Sequence, residues 1–241
     1  MSKEITDNIA RVRANIAEAA IKSGRSPADV TLVAAAKTQP VEKIRQAIAA
    51  GVDAIGENRV QEMGQKHTQG AYRGAPLHFI GHLQSNKTSR VVGVCDLIES
   101  VGSPALVSLI GKKSVSLGIV QKVLIEVNIG REAQKSGVLP ENTAQILELA
   151  SHIGGMNVLG LMAVPPIFEK KDKNCRYFDA MYQLFVDMSQ KKYDNVSMHF
   201  LSMGMSDSYA EAILAGANMV RIGSAIFGER ETEGGLLNWD S

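Results

Sequence analysis

Residues 30–51 read Val30-Thr-Leu-Val-Ala-Ala-Ala-Lys37-Thr-Gln-Pro40-Val-Glu-Lys-Ile-Arg-Gln-Ala-Ile-Ala-Ala50-Gly51. The run up to Ala36 is short, almost wholly apolar and β-branched at its start, the pattern of a strand buried on both faces. Pro40 suits the opening of a helix through Ala50, and Gly51 fits the left-handed position that closes one. A strand joined so closely to a helix makes one βα unit.

The unit recurs. Strand-like runs lie at 53–56, 77–81, 94–99, 122–129, 157–164, 197–202 and 218–222, separated by helical stretches at about 58–67, 85–92, 104–117, 141–152, 175–191 and 207–215. Ser103-Pro104 reads as an N-cap followed by proline, and Ser208-Tyr-Ala-Glu211 as a capping box. Upstream, Ile5, Ile9, Val12, Ile16 and Ala20 fall at helical spacing over 4–22, with Asp7–Arg11 and Glu18–Lys22 as pairs four apart. Eight strands alternating with helices predict a (β/α)8 TIM barrel carrying an extra N-terminal helix. A doubly wound open sheet meets the same spacing. With no Pro/Gly/Ser-rich linker or charge block, residues 1–241 read as one domain, eleven residues following the last unit from Glu231.

Composition narrows the function. Of 241 residues, 26 are Lys or Arg and 25 Asp or Glu, a net charge of +1, so the basic field of a general nucleic-acid binder is missing. Aromatics are only 5% against 45% hydrophobic residues, which leaves the core to Ala, Val, Ile, Leu and Met. Cys95 and Cys175 stand far apart without a CxxC pair and read as thiols of a reducing compartment. No apolar run approaches ~18 residues, so no membrane span is expected. The N-terminus lacks a signal-peptide core, and Glu4, Asp7 and Glu18 argue against a transit peptide. A cytoplasmic location is the expectation.

In a barrel, function gathers at the C-terminal ends of the strands. Those ends carry Lys37, Glu57-Asn58, His82, Ser202 to Ser206, and Arg221-Ile-Gly223-Ser224. Lys37 follows an apolar strand, where desolvation favours the neutral amine that attacks a carbonyl. A lysine snorkelling from a strand end reads the same way. Small residues after strands seven and eight let backbone N–H groups approach an anion, although tight βα turns use the same residues. A lysine facing a phosphate cradle suggests a phosphorylated aldehyde. Two weaker patterns stand beside it. Gly81-His-Leu-Gln-Ser-Asn86-Lys-Thr88 approaches a P-loop, with Asp96 as its acid, but Asn86 replaces the second glycine. His78 and His82 lack a third zinc ligand nearby and read as hydrogen-bonded histidines.

Val33-Ala-Ala-Ala-Lys-Thr38, Gly56-Glu-Asn-Arg-Val-Gln-Glu62, His78-Phe-Ile-Gly-His-Leu-Gln84, Leu201-Ser-Met-Gly-Met-Ser-Asp207 and Arg221-Ile-Gly-Ser-Ala-Ile-Phe-Gly228 together resemble the YggS/PROSC family of pyridoxal-phosphate (PLP) homeostasis proteins. The resemblance runs in order from about residue 5 to 230. It implies an alanine-racemase-type barrel that holds PLP as a Schiff base on Lys37. It further implies Ser202, Ser206, Gly223 and Ser224 as phosphate ligands, Arg221 as partner of the pyridine nitrogen, and Asn58 near the ring's hydroxyl. Leu77 departs from relatives that carry an aromatic before His78, a matter of local packing.

Two functions fit such a site. One is a carrier that buffers PLP and delivers it to apo PLP-dependent enzymes; the other is an amino-acid racemase. A donor-only guanidinium leaves the pyridine nitrogen unprotonated and weakens the ring as an electron sink, against transamination or decarboxylation. Racemisation needs a second base on the opposite face. In alanine racemases a tyrosine from a C-terminal β domain supplies it, whereas the residues from Glu231 onward hold no tyrosine. Thr38-Gln-Pro40 also replaces the racemase-like Ala-Asn-Ala-Tyr, so the carrier reading is preferred.

Overall fold

The computed structural model describes residues 3–166 and 171–228. Within them, β1 (Thr31–Ala35), β2 (Ala54–Glu57), β3 (Leu77–Phe79), β4 (Leu97–Val101), β5 (Gln121–Glu126), β6 (Met156–Met162), β7 (Val196–Ser202) and β8 (Met219–Ile222) close into a parallel barrel in chain order, β8 pairing with β1. Closure excludes the open doubly wound sheet. The helices are α1 (Lys3–Lys22), α2 (Val41–Ala49), α3 (Val60–Thr68), α4 (Pro104–Leu117), α5 (Thr143–Ser151), α6 (Lys171–Ser189), α7 (Tyr209–Leu214) and α8 (Ser224–Phe227). The residues from Glu231 onward lie outside the described part of the chain.

The strands bury both faces because they face two cores. Val33, Ala54, Leu97, Leu124, Met162 and Met219 fill the barrel interior. Their neighbours Leu32, Ala34, Ile55, Phe79, Ile98 and Val123 point outward into the layer beneath the helices. The extra helix α1 lies on the outside, with Ile5, Ile9, Val12, Ile16 and Ala20 buried against α2, α7 and α8. Asn8 donates to the Ile226 carbonyl at 3.0 Å and Asn15 to the Tyr209 hydroxyl at 2.9 Å, so α1 braces the two helices nearest the last strand.

Several local expectations hold. Ser103 accepts from the Leu106 N–H at 3.3 Å, Gly51 takes φ +89°, and Glu18 pairs with Lys22 at 2.6 Å. Others differ. Arg11 bonds Asn8 rather than Asp7. Ser208 makes no cap for α7, because its hydroxyl instead accepts from the Met205 N–H at 3.2 Å. Residues 85–90 form a 3-10 turn, not an α-helix. The nest of a P-loop requires a helix N-terminus after its glycine turn, and none is built there.

Candidate functional site

Two residues beyond the apolar layer, the same inward face carries Ala35, Gly56, Glu99, Glu126 and Arg221. The barrel interior therefore changes from apolar to charged just below its mouth. Glu99 is wholly buried between His78 Nδ1 at 2.7 Å, the Ser202 hydroxyl at 2.6 Å and the Arg221 guanidinium at 3.8 Å. Burial opposes its ionisation, but His78, Arg221 and Ser202 outweigh it and hold the carboxyl below its ordinary range. Arg221 in turn donates to Ser202 Oγ at 2.5 Å and to the Ala163 carbonyl at 2.9 Å, so its planar fork is fixed in one orientation. Burial pulls its pKa down, against Glu99 and Glu126.

Arg221 borders a cleft of about 260 Å³ that Lys37, Ser206, Gly223 and Ser224 also line. Five of the seven residues singled out from sequence therefore meet in one cleft. Ser206 Oγ accepts from the N–H groups of Gly223 at 3.2 Å and Ala225 at 3.3 Å. With its acceptor side occupied, its own proton is left to donate to an anion. The loop bearing Ser206 is tied down by Arg221 N–H on the Gly204 carbonyl at 3.0 Å and by Met203 N–H on the Met219 carbonyl at 3.1 Å.

The other two residues sit elsewhere. Ser202 is fully buried, its hydroxyl bonded to Glu99 and Arg221, and it is not among the residues that line the cleft. It links carboxylate to guanidinium instead. Asn58 borders an adjoining cavity of about 530 Å³, along with His82, Glu126 and Lys135. It is set there by Gly81, where a Cβ would lie 2.1 Å from the Asn58 carbonyl oxygen, a contact only glycine permits.

The turn carrying Lys37 is gripped on both sides. Lys66 Nζ donates to the Ala36 carbonyl at 3.0 Å, and the Thr38 N–H donates to Glu62 Oε2 at 3.1 Å. Thr38 is held at φ +64°, a conformation threonine rarely adopts. Lys66 is anchored by Glu57 at 2.7 Å, which also accepts from the Tyr72 hydroxyl at 3.1 Å. Burial nonetheless pushes the pKa of Glu57 up, only partly offset by Lys66. Glu57 stands at a strand end as expected, whereas Glu62, Lys66 and Glu99 do not follow from position at a strand end. An acid at an inward position of an otherwise apolar strand, as in Leu97-Ile98-Glu99, was the available signal.

His78 is thus the partner of a buried carboxylate. Cys95 is also buried, which pushes its thiol pKa up to about 12 and makes it unreactive. No helix among the described residues is long and apolar enough to cross a membrane.

Comparison with known proteins agrees with this architecture. Residues 8–231 match the model of the alanine racemase N-terminal domain. A pyridoxal phosphate homeostasis protein of Aquifex aeolicus is 40% identical over 225 residues, covering 93% of this chain and 98% of the relative. The structure of PipY from Synechococcus elongatus with PLP bound superposes with a TM-score of 0.80 at 28% identity, covering 93% of this chain and all of PipY. An alanine racemase of Clostridium difficile shares the fold (TM-score 0.73, 16% identity), with 96% of this chain spanning 61% of the racemase. On the matched domain and the near full-length identity, the chain belongs to the family of pyridoxal phosphate homeostasis proteins.

Proposed function

We propose that this protein binds PLP as a Schiff base on Lys37 and buffers and delivers it in the cytoplasm, with apo PLP-dependent enzymes as recipients. The observation that carries this reading is the cleft that brings Lys37 opposite Ser206, Gly223 and Ser224. Bound there, PLP supplies an aldehyde for the lysine amine and a phosphate for the small-residue cradle. Ser206 would donate its hydroxyl proton to the phosphate alongside the Ser224 N–H, while the Gly223 and Ala225 N–H groups hold the Ser206 oxygen in place. The fixed fork of Arg221 offers only donors and so leaves a pyridine nitrogen unprotonated. Lys66 and Glu62 keep the Lys37 turn in place while its amine reacts.

The expected result is a yellow protein whose imine absorbance rises with added PLP and is absent in Lys37→Ala. A wild type that gains no such absorbance would falsify the cofactor assignment. Mixing loaded protein with an apo PLP-dependent enzyme should restore that enzyme's activity faster than free PLP released at equilibrium can. Steady change in optical rotation of L-alanine at an ordinary enzymatic rate would replace the carrier reading with racemase.

A further inference from the structure

Across the mouth from Lys37 lies a separate cavity of about 250 Å³. Three walls bound it: the segment from His82 after β3, the end of β4 from Ser100 to Ser103, and Glu126 with Ser136 and Gly137. Neither the PLP reading nor the N-terminal half of the barrel accounts for it. The segment from His82 is also the sequence motif left without a role once the P-loop is set aside.

Two buried polar atoms on these walls have no partner. Ser100 Oγ, on a residue 2% exposed, makes no hydrogen bond, and neither does Glu126 Oε2, on a residue 7% exposed. Ser136 donates to the other Glu126 oxygen at 2.9 Å and so leaves Oε2 as the one to be filled. A bare Gly102 keeps the space beside it clear: a Cβ there would lie 3.3 Å from Oε2 and collide with Gly137 N at 2.8 Å. Buried polar groups are almost always satisfied, so two orphans on one cavity mark a place built for a polar guest.

The walls have opposite polarity. Glu126 presents a lone carboxylate oxygen that suits an ammonium. Next to it, the fourteen-residue α4 begins at Pro104 behind its Ser103 cap, and its positive end, with the Ser100 hydroxyl and the His82 imidazole on the same cavity, suits a carboxylate. We infer that this cavity binds a small neutral α-amino acid, its ammonium on Glu126 and its carboxylate toward Ser100 and the start of α4. Burial raises the pKa of Glu126 in the ligand-free protein, and an ammonium at Oε2 would lower it again. Because Glu126 also borders the adjoining cavity with Asn58, a guest here would stand close to the PLP side of the mouth. The inference does not depend on the Lys37 assignment.

The test titrates full-length protein, with and without PLP, with 13C-labelled glycine, L-alanine and L-serine, observed by NMR. Acetate and methylammonium serve as half-ligands. Saturable binding is expected in both forms, stronger than either half-ligand, and a shift of the Glu126 carboxyl 13C signal in the wild type. Glu126→Gln and Ser100→Ala should each weaken it by about tenfold without a fall in melting temperature. Absence of saturable binding, meaning a cavity that holds only water, overturns the inference. Binding that needs PLP, or that neither substitution affects, overturns it equally.

Discussion

The two sides of the barrel mouth differ in how completely their polar groups are paired. In the network around Arg221 the buried groups are paired: Glu99 with His78 and Ser202, Arg221 with Ser202 and the Ala163 carbonyl, Ser206 with two N–H groups. Toward β4 and β5, Ser100 Oγ and Glu126 Oε2 have none. The paired side is pre-organised to hold a group at fixed atoms. The unpaired side keeps hydrogen-bonding capacity in reserve, which has a cost in the absence of a guest.

The strongest way to break this contrast is Glu99→Gln. It leaves the buried Arg221 without its counter-charge, and removing one member of such a pair costs about 3–5 kcal/mol. Denaturant unfolding should show that loss together with much weaker PLP binding; a change under about 1 kcal/mol would mean the network is ornamental. Lys66→Met comes next, at about 3 kcal/mol or somewhat less. The raised pKa of Glu57 lets it take up a proton and relieve part of the damage. Lys66→Arg should recover stability, while the imine absorbance at a given PLP concentration recovers only if the Ala36 contact is remade. Ser206→Ala should cost about 1 kcal/mol of stability and weaken PLP by about tenfold in a spectral titration.

Acid titration separates the two sides by sign. Glu99 has a folded pKa below its ordinary value of 4.5, so its stabilisation is present above that value and is lost as pH falls through the lower folded one. Glu126 is raised from 4.5, so its relative stabilisation is present below that value and is lost as pH rises through the higher folded one. Unfolding free energies should therefore show Glu126→Gln gaining on the wild type as pH rises from about 4.5 toward neutrality, and Glu99→Gln falling behind as pH rises up to about 4.5, with a constant deficit above it. The same direction in both variants would contradict the contrast. The smallest effect is expected at Ser100→Ala, which removes a hydroxyl with no bond to lose. Its stability should stay within about 0.5 kcal/mol of wild type, whereas Ser206→Ala should not.

Most of the barrel was legible because the strands are short, largely apolar runs bounded by turn residues. Val30 to Ala36 and Met219 to Ile222 announce themselves by composition alone. Residues 85–90 were misread as a helix because helix and 3-10 turn share their short-range spacing, and only tertiary packing decides between them. Lys37, Ser206, Arg221, Gly223 and Ser224 were found because the fold sends loop residues after its strands to one mouth. Ser202 is the last residue of β7 and its hydroxyl joins Glu99 to Arg221, a pairing across the barrel that strand spacing does not encode, whereas Ser206 lies four residues on in the loop. The clamp of Glu62 and Lys66 on the Lys37 turn joins α3 to the end of β1, a contact that spacing within either element does not encode.

The central claim is that Lys37 is the residue that takes the aldehyde. Borohydride reduction of PLP-loaded protein, followed by proteolysis and mass spectrometry, reads this directly. One stoichiometric phosphopyridoxyl group is expected on the peptide containing Lys37, and none in Lys37→Ala. A reduced adduct of equal yield on another lysine, with Lys37 unmodified, would contradict it.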